Sequence, residues 1–84
     1  MYKKKKKRNI KDWLWKIDCG YGEHLLVKKI TTDQKYAYTC YEDNNDGSRY
    51  MYRRSTIHYD NIDEYYYIHR DGKLFDITPA FYYM

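Results

Sequence analysis

Six side chains in the second half of the chain are of the types that act on phosphodiesters without a metal. They are Arg53, Arg54, His58, Glu64, His69 and Arg70. Histidine and glutamate can accept or donate a proton, and arginine can stabilise the charge of a phosphorane. These groups could assemble a metal-free ribonuclease, and small bacterial toxins of that chemistry have a similar size. Such toxins tend to be basic in the folded body, whereas residues 9–84 sum to −2, so the sequence favours other functions.

Five potential zinc ligands are present, but their spacing does not match a zinc site. They are Cys19, His24, Cys40, His58 and His69. None belongs to the paired C-x2-C or H-x3-H spacing that makes such a signal specific. The segment Gly20-Tyr21-Gly22 is too short for a phosphate-binding loop and predicts a turn. We therefore expect no metal and no cofactor, and the sequence assigns no catalytic residue.

Tyrosine is the most unusual feature of the composition, at 13 of 84 residues. Its ring is rigid and amphipathic, which suits protein interfaces, and it can stack on the bases of single-stranded nucleic acid. About half of the tyrosines must belong to the core, because Val, Ile, Leu and Phe together number only 14. Tyr66 is predicted to be one of these core residues. An outward tyrosine face is predicted to bind a protein partner through Tyr50, Tyr52, Tyr65 and Tyr67.

Positive charge is concentrated in a run near the start of the chain. The six consecutive cations are Lys3, Lys4, Lys5, Lys6, Lys7 and Arg8. Such a run can bind a phosphate backbone with salt-dependent affinity, remain a solvated tail, or seek an anionic membrane surface. No amphipathic anchor accompanies it, so we expect no membrane partner. The residues predicted to contact nucleic acid are this run together with Arg53 and Arg54.

The length of 84 residues leaves room for one small domain, placed at residues 9–84 after a basic tail at residues 1–8. No apolar stretch of the signal-peptide type follows the lysine run, and no segment approaches the ~18 apolar residues of a membrane span. Two cysteines do not make a disulfide framework. We therefore expect a cytoplasmic protein with reduced thiols.

Turn chemistry and alternating side chains predict a mainly β fold, a small antiparallel sheet or partly open barrel of five to seven short strands. The clearest signal is a hairpin about Asp71-Gly72, a type I′ turn pair between two β-prone runs. Pairing outward from the turn sets Ile68 opposite Phe75 on the inner face. The next inner pair is Tyr66 and Ile77. The outer face then contains Tyr65, Tyr67, His69, Leu74 and Asp76.

A second hairpin is predicted to join residues 35–42 to residues 48–54. Its turn, Asn44-Asn45-Asp46-Gly47, contains four turn-forming residues in a row and so permits two alignments. Residues 56–60 are predicted to form a short strand and residues 61–64 the turn after it. Pro79 should end the last strand.

The N-terminal third of the sequence is compatible with either a strand or a short helix. Alternation predicts a strand through Trp13, Trp15, Ile17 and Cys19. The same segment also fits a short helix over residues 10–17, with Asn9 as its N-cap. We favour the strand, because Gly20 and Gly22 follow at once and residues 24–32 alternate as a partner.

Aromatic excess and opposite charge in the two parts of the chain favour a non-enzymatic binding protein. Residues 1–41 sum to +7 and residues 42–84 to −3, which suits a target with both basic and phosphate-bearing surfaces. In small size and in richness in tyrosine and asparagine, the chain is similar to many phage-encoded proteins that disable host machinery, anti-CRISPR inhibitors included. That resemblance implies an inhibitor that docks a tyrosine-rich surface on a protein or nucleoprotein target in the host cytoplasm. The alternatives are a stand-alone nucleic-acid-binding β-barrel, using the lysine tail and stacked tyrosines, and the ribonuclease above.

Overall fold

A computed structural model describes residues 13–43 and 45–84, and these residues form two small antiparallel sheets. The four-stranded sheet contains, in spatial order, β1 (Trp15–Gly20), β2 (Glu23–Ile30), β3 (Tyr36–Asp43) and β4 (Arg53–Thr56). The three-stranded sheet contains β5 (His58–Asp60), β6 (Tyr65–Arg70) and β7 (Lys73–Asp76). A 3₁₀ helix follows at Thr78–Tyr83. The predicted mainly β fold is confirmed, whereas the predicted tail at residues 1–8 lies outside the described residues.

The C-terminal hairpin has the predicted register. Ile68 pairs with Phe75, and the Ile77 amide donates to the Tyr66 carbonyl at 2.9 Å. Asp71 has a φ of 52° and Gly72 a φ of 79°, the left-handed conformations that a type I′ turn requires at both central positions. Asp-Gly tolerates these angles and matches the twist of the flanking strands, so local chemistry alone places this hairpin.

The second hairpin uses both of the alignments that its turn permits. Near the turn Glu42 stands opposite Arg49, but farther along Thr39 stands opposite Arg53, a register one residue different. The shift falls at residues 50–52, which lie outside the regular strands. The prediction of an unbroken second strand over residues 48–54 was therefore wrong, because the ladder cannot hold two registers without an irregular segment between them.

The predicted strand over residues 56–60 is interrupted at Ile57, where the chain passes from one sheet to the other. The Ile57 amide donates to the Lys35 carbonyl at 2.9 Å, and its side chain packs against the core. This anchoring ends β4 and starts β5 in a different sheet. The predicted turn at residues 61–64 is present, and Glu64 has a positive φ of 58°.

The N-terminal segment is a strand, as favoured, and not a helix. β1 pairs with β2 through Trp15 opposite Val27 and Ile17 opposite Leu25. The turn between them contains Gly20 and Gly22 at φ values of 83° and 77°, which glycine adopts without strain. Asn9 and residues 10–12, on which the helical alternative depended, lie outside the described residues.

The core lies between the two sheets and is closed at one end by the 3₁₀ helix. Its buried residues are Leu25, Val27, Ile30, Ala37, Ile68, Phe75, Ile77 and Ala80. The sequence did not predict this helix. β7 ends at Asp76, and Pro79 lies in the first turn of the helix, a position that needs no amide donor. Tyr83 near the helix end stacks on Trp15 of β1 at 5.7 Å between ring centroids.

A buried arginine links the two sheets. Arg70 of β6 donates from Nη1 to the Thr39 hydroxyl of β3 at 2.6 Å, and both residues are buried. Its guanidinium lies 4.9 Å from the centre of the Tyr41 ring, and its Nε lies 3.8 Å from the Asp71 carboxylate. Burial lowers the pKa of Arg70, and the neighbouring Arg53 lowers it further. The guanidinium therefore depends on these contacts to remain inside the fold.

We expect Arg70→Ala to lower the free energy of unfolding by about 2–4 kcal/mol, because it leaves a void and a buried Thr39 hydroxyl without its donor. Arg49→Ala is the matched control. It removes an exposed arginine that pairs with Glu42 at 2.9 Å, a contact worth under about 1 kcal/mol. Urea denaturation measures both changes. Equal losses in the two variants would contradict a structural role for the buried guanidinium.

Candidate functional site

A cavity of about 340 Å³ lies where β4, the edge strand of the four-stranded sheet, meets the hairpin of β6 and β7. It is lined mainly by Arg53, Arg54, His58, His69, Arg70 and Asp71. Five of these six are cationic or can become so, although they come from a folded body whose net charge is slightly negative. Both sheets contribute, so the site exists only when the two sheets are docked.

The two histidines converge on one spot of the outer face of the three-stranded sheet. His58 stands opposite Tyr67 on the neighbouring strand, and their rings stack at 5.2 Å between centroids. His69 follows two residues after Tyr67 on the same face and meets its ring edge-on at 5.5 Å. The centroids of the two imidazoles are 5.8 Å apart, and both histidines are exposed. Tyr67 thus supports a pair of proton-transfer groups that solvent can reach.

The arginines at the cavity differ in how they are held. Arg53 is 59 % exposed at its side chain and pairs with Asp71, with Nη2 at 3.3 Å from Oδ1 and 3.5 Å from Oδ2. Arg54 lies over the Tyr36 ring at 4.4 Å. Arg70 is buried and fixed by Thr39. Two guanidinium groups, those of Arg53 and Arg70, approach the carboxylate of Asp71, so the cavity keeps an excess of positive charge that an anion could neutralise.

The outer face of the three-stranded sheet has opposite charge at its two ends. Tyr65 and Tyr67 contact each other at 5.4 Å and lie between the histidines and the turn after β5. Partial burial and the carboxylate of Asp60 raise the pKa of Tyr65, with a smaller contribution from Asp63. The end near Tyr65 is therefore acidic and the end near the cavity is basic, so a partner would bind in one orientation.

The four tyrosines predicted to bind a protein occupy two places. Tyr65 and Tyr67 share the outer face described above, while Tyr50 and Tyr52 lie in the irregular segment before β4. Tyr50 is 55 % exposed and, with Met51, lines a second cavity of about 470 Å³ that shares Arg53 and Arg70 with the first. The phenol oxygen of Tyr52 is buried, and Lys28 lies 5.7 Å from its ring centre.

Only some of the residues predicted to contact nucleic acid are among the described residues. Arg53 and Arg54 line the first cavity, whereas Lys3, Lys4, Lys5, Lys6, Lys7 and Arg8 lie outside the described residues. Glu64, named with the ribonuclease residues, is exposed in the turn after β5 and does not line the cavity. Sequence reasoning missed Asp71 as the counter-ion of the site. Its signal was present, because a turn carboxylate directly follows Arg70 and must remain near the strand end.

Neither a cluster of potential metal ligands nor a membrane-spanning helix is found in the part of the chain that the structure describes. No group of three or more His, Cys, Asp or Glu within residues 13–43 and 45–84 is arranged to hold a metal ion. Cys19 and Cys40 are not joined by a disulfide, and burial raises the pKa of the Cys19 thiol. In the same part of the chain no helix has the length and hydrophobicity to cross a membrane.

Comparisons with protein-family models, curated proteins and solved structures find no match to this chain.

We expect Tyr66→Ala to cost about 2–3 kcal/mol of folding free energy and Tyr65→Ala less than about 1 kcal/mol. Tyr66 lies on the inner face, stacked on Phe81 at 4.2 Å and against Tyr59 at 4.7 Å, and packs on the core, as the sequence predicted. Tyr65 is on the outer face. Urea denaturation of the two variants, which lose the same atoms from neighbouring positions, tests this. A Tyr65 variant as unstable as the Tyr66 variant would mean that the outer rings are also core.

Proposed function

We propose that the protein binds single-stranded nucleic acid, with a phosphate seated in the cavity and a neighbouring base on the outer tyrosines. The observation behind the proposal is the convergence of Arg53, Arg54 and Arg70 with two histidines beside an aromatic pair. Arginine binds phosphate through paired hydrogen bonds, and aromatic rings stack on bases whatever their sequence. The same two kinds of group, cationic and aromatic, define many single-strand binding surfaces.

The positive surface of the folded body is small, so it favours contact with a short stretch of nucleic acid over contact with a long one. The acidic end of the face near Asp60 and Asp63 would repel a strand that continued in that direction. One or two phosphates at the cavity are therefore the expected footprint on the folded body. The run of cations at residues 3–8 would add sequence-independent affinity, because each phosphate it neutralises releases counterions.

Docking on a protein or nucleoprotein target is the second candidate. It is favoured by Tyr50 and Met51, which are 55 % and 85 % exposed beside the second cavity. Exposed tyrosine and methionine next to arginine are typical of protein-binding hot spots. An inhibitor of the phage-encoded kind that engages a nucleoprotein would use both cavities, since Arg53 and Arg70 form their common wall. Alanine at Tyr50 would then weaken target binding without weakening binding of an oligonucleotide alone.

We expect Asp71→Asn to tighten binding of a labelled oligothymidylate about two- to fivefold at low salt. Asparagine keeps the positive φ and the turn type. Loss of the carboxylate frees Arg53 from an exposed ion pair worth about 0.2–1 kcal/mol and also removes the 3.8 Å contact with the Arg70 Nε, so a thermal melt checks that the variant is folded. Fluorescence anisotropy gives the dissociation constants. The control is Asp46→Asn, the same change of charge in the turn of the other hairpin, where Asp46 bonds Ser48.

Arg53→Ala should weaken binding in the same assay and reduce the salt slope by about one counterion. Its matched control is Arg49→Ala, which removes an equal charge beside Glu42, away from the cavity.

The two aspartate variants of the preceding prediction give the contradicting outcome. If Asp71→Asn and Asp46→Asn change the dissociation constant equally, the charge of the whole protein and not the cavity governs affinity, and the proposed site is wrong.

Deletion of residues 2–8 should remove most of the salt-dependent affinity for the oligonucleotide and leave the melting temperature nearly unchanged. The reason is that the remaining body is slightly acidic and the tail supplies six cations. Anisotropy at several salt concentrations and a thermal melt give the two quantities. An unchanged salt slope in the truncated protein would place the important cations on the folded body alone.

A further inference from the structure

We propose that the same cavity cleaves RNA without a metal ion, with His58 and His69 as the proton-transfer pair. This inference rests on the proposed function, since the bound phosphate would be the one attacked. It goes beyond binding, because an anion needs cations only, whereas the cavity also presents two exposed imidazoles 5.8 Å apart.

The placement of the two rings suits opposite ends of one phosphodiester group. They meet edge to face with an interplanar angle of 67° and a centroid distance of 5.8 Å. Both project from paired strands, and Tyr67 contacts each of them, which fixes their separation better than loops would. A general base and a general acid must each reach a reacting oxygen at hydrogen-bond distance. Two exposed imidazoles with centroids 5.8 Å apart are close enough to reach different oxygens of one phosphodiester group.

The reaction is a transfer of the phosphoryl group within the RNA. The neutral histidine takes the proton of the ribose 2′-hydroxyl as the 2′-oxygen forms a bond to phosphorus. The bond from phosphorus to the 5′-oxygen of the next nucleotide breaks, and the protonated histidine donates its proton to that oxygen. The products are a 2′,3′-cyclic phosphate and a 5′-hydroxyl. One proton enters and one leaves the histidine pair, so no oxidant, metal or further reactant is needed.

The arginines would stabilise the dianionic phosphorane. Arg53 is the exposed guanidinium nearest to the carboxylate of Asp71, and Arg54 lines the same wall from the neighbouring position of β4. Preorganised cations aimed at developing charge typically contribute a factor of about 10²–10³ in rate. Arg70 is held by Thr39 and Tyr41, and so positions the wall of the cavity from inside the fold.

The test uses a labelled oligouridylate incubated with the full chain in the presence of EDTA. We expect fragments that end in a 2′,3′-cyclic phosphate by mass spectrometry, and a rate at least about a hundredfold lower for His58→Ala and for His69→Ala. Both residues are exposed, so both variants should fold, which a thermal melt checks. His24→Gln is the matched control, because His24 is in β2 and does not line the cavity.

The pH dependence provides a second readout. One imidazole must be neutral and the other protonated, so the rate should pass through a maximum as the pH is varied. The charged and titratable groups around the pair are Arg53 and Arg54 from β4, Tyr67 and Arg70 from β6, Asp71 from the turn and Asp76 from β7. Loss of either histidine should abolish the maximum and not merely displace it.

A 2′-O-methyl oligouridylate separates this inference from the proposed function, because it can bind but has no free 2′-hydroxyl. Binding of this analogue without cleavage of the RNA would overturn the inference and leave the binding function standing. Cleavage that persists in both histidine variants would also overturn it, since the activity would then arise elsewhere. Failure to bind the analogue would overturn the proposed function as well.

Discussion

A guanidinium buried between two small sheets is the constraint on which the rest of this structure depends. Removing Arg70 from water is costly, and the contacts that offset this cost are the hydrogen bond to Thr39, the Tyr41 ring and the Asp71 carboxylate, which lies 3.8 Å from Nε. These partners come from β3 of one sheet and from the turn of the other. The contact therefore holds β6 at the edge of β4, and that edge is one wall of the cationic cavity. Arg70 thus contributes both to the docking of the sheets and to the cavity that is proposed to bind a phosphate.

Asp71 shows how one position can serve two purposes. As the first turn residue it allows the left-handed backbone that the hairpin needs, and as a carboxylate it restrains Arg53. Without the carboxylate, the guanidinium groups of Arg53 and Arg70 would repel each other across the cavity. The carboxylate offsets this repulsion, and under the proposed function it would compete with the phosphate of a bound strand.

Local rules predicted much of the fold, and the reasons for the exceptions are physical. The last hairpin could be predicted from Asp71-Gly72 because the conformation of a tight turn depends on only four consecutive residues. The meeting of His58 with His69 was not predictable in the same way, since it needs the pairing of β5 with β6 as well as the strand break at Ile57. Arg70 lies two residues after Ile68 and shares its inner face, but a charged side chain is expected to be exposed unless a partner is known. Thr39, its partner, lies 31 residues away.

The order of the strands has a consequence for how the chain reaches its native state. Within each sheet every strand pairs with its neighbour in sequence, so hydrogen-bonded ladders close over short loops and the average contact is local for an all-β protein. Folding of each meander should therefore be fast. Only the docking of one sheet on the other requires distant parts of the chain to meet, and the single residue Ile57 between β4 and β5 keeps that search short. The Arg70 guanidinium is desolvated when the two sheets dock, and a nascent chain would expose both apolar sheet faces until then.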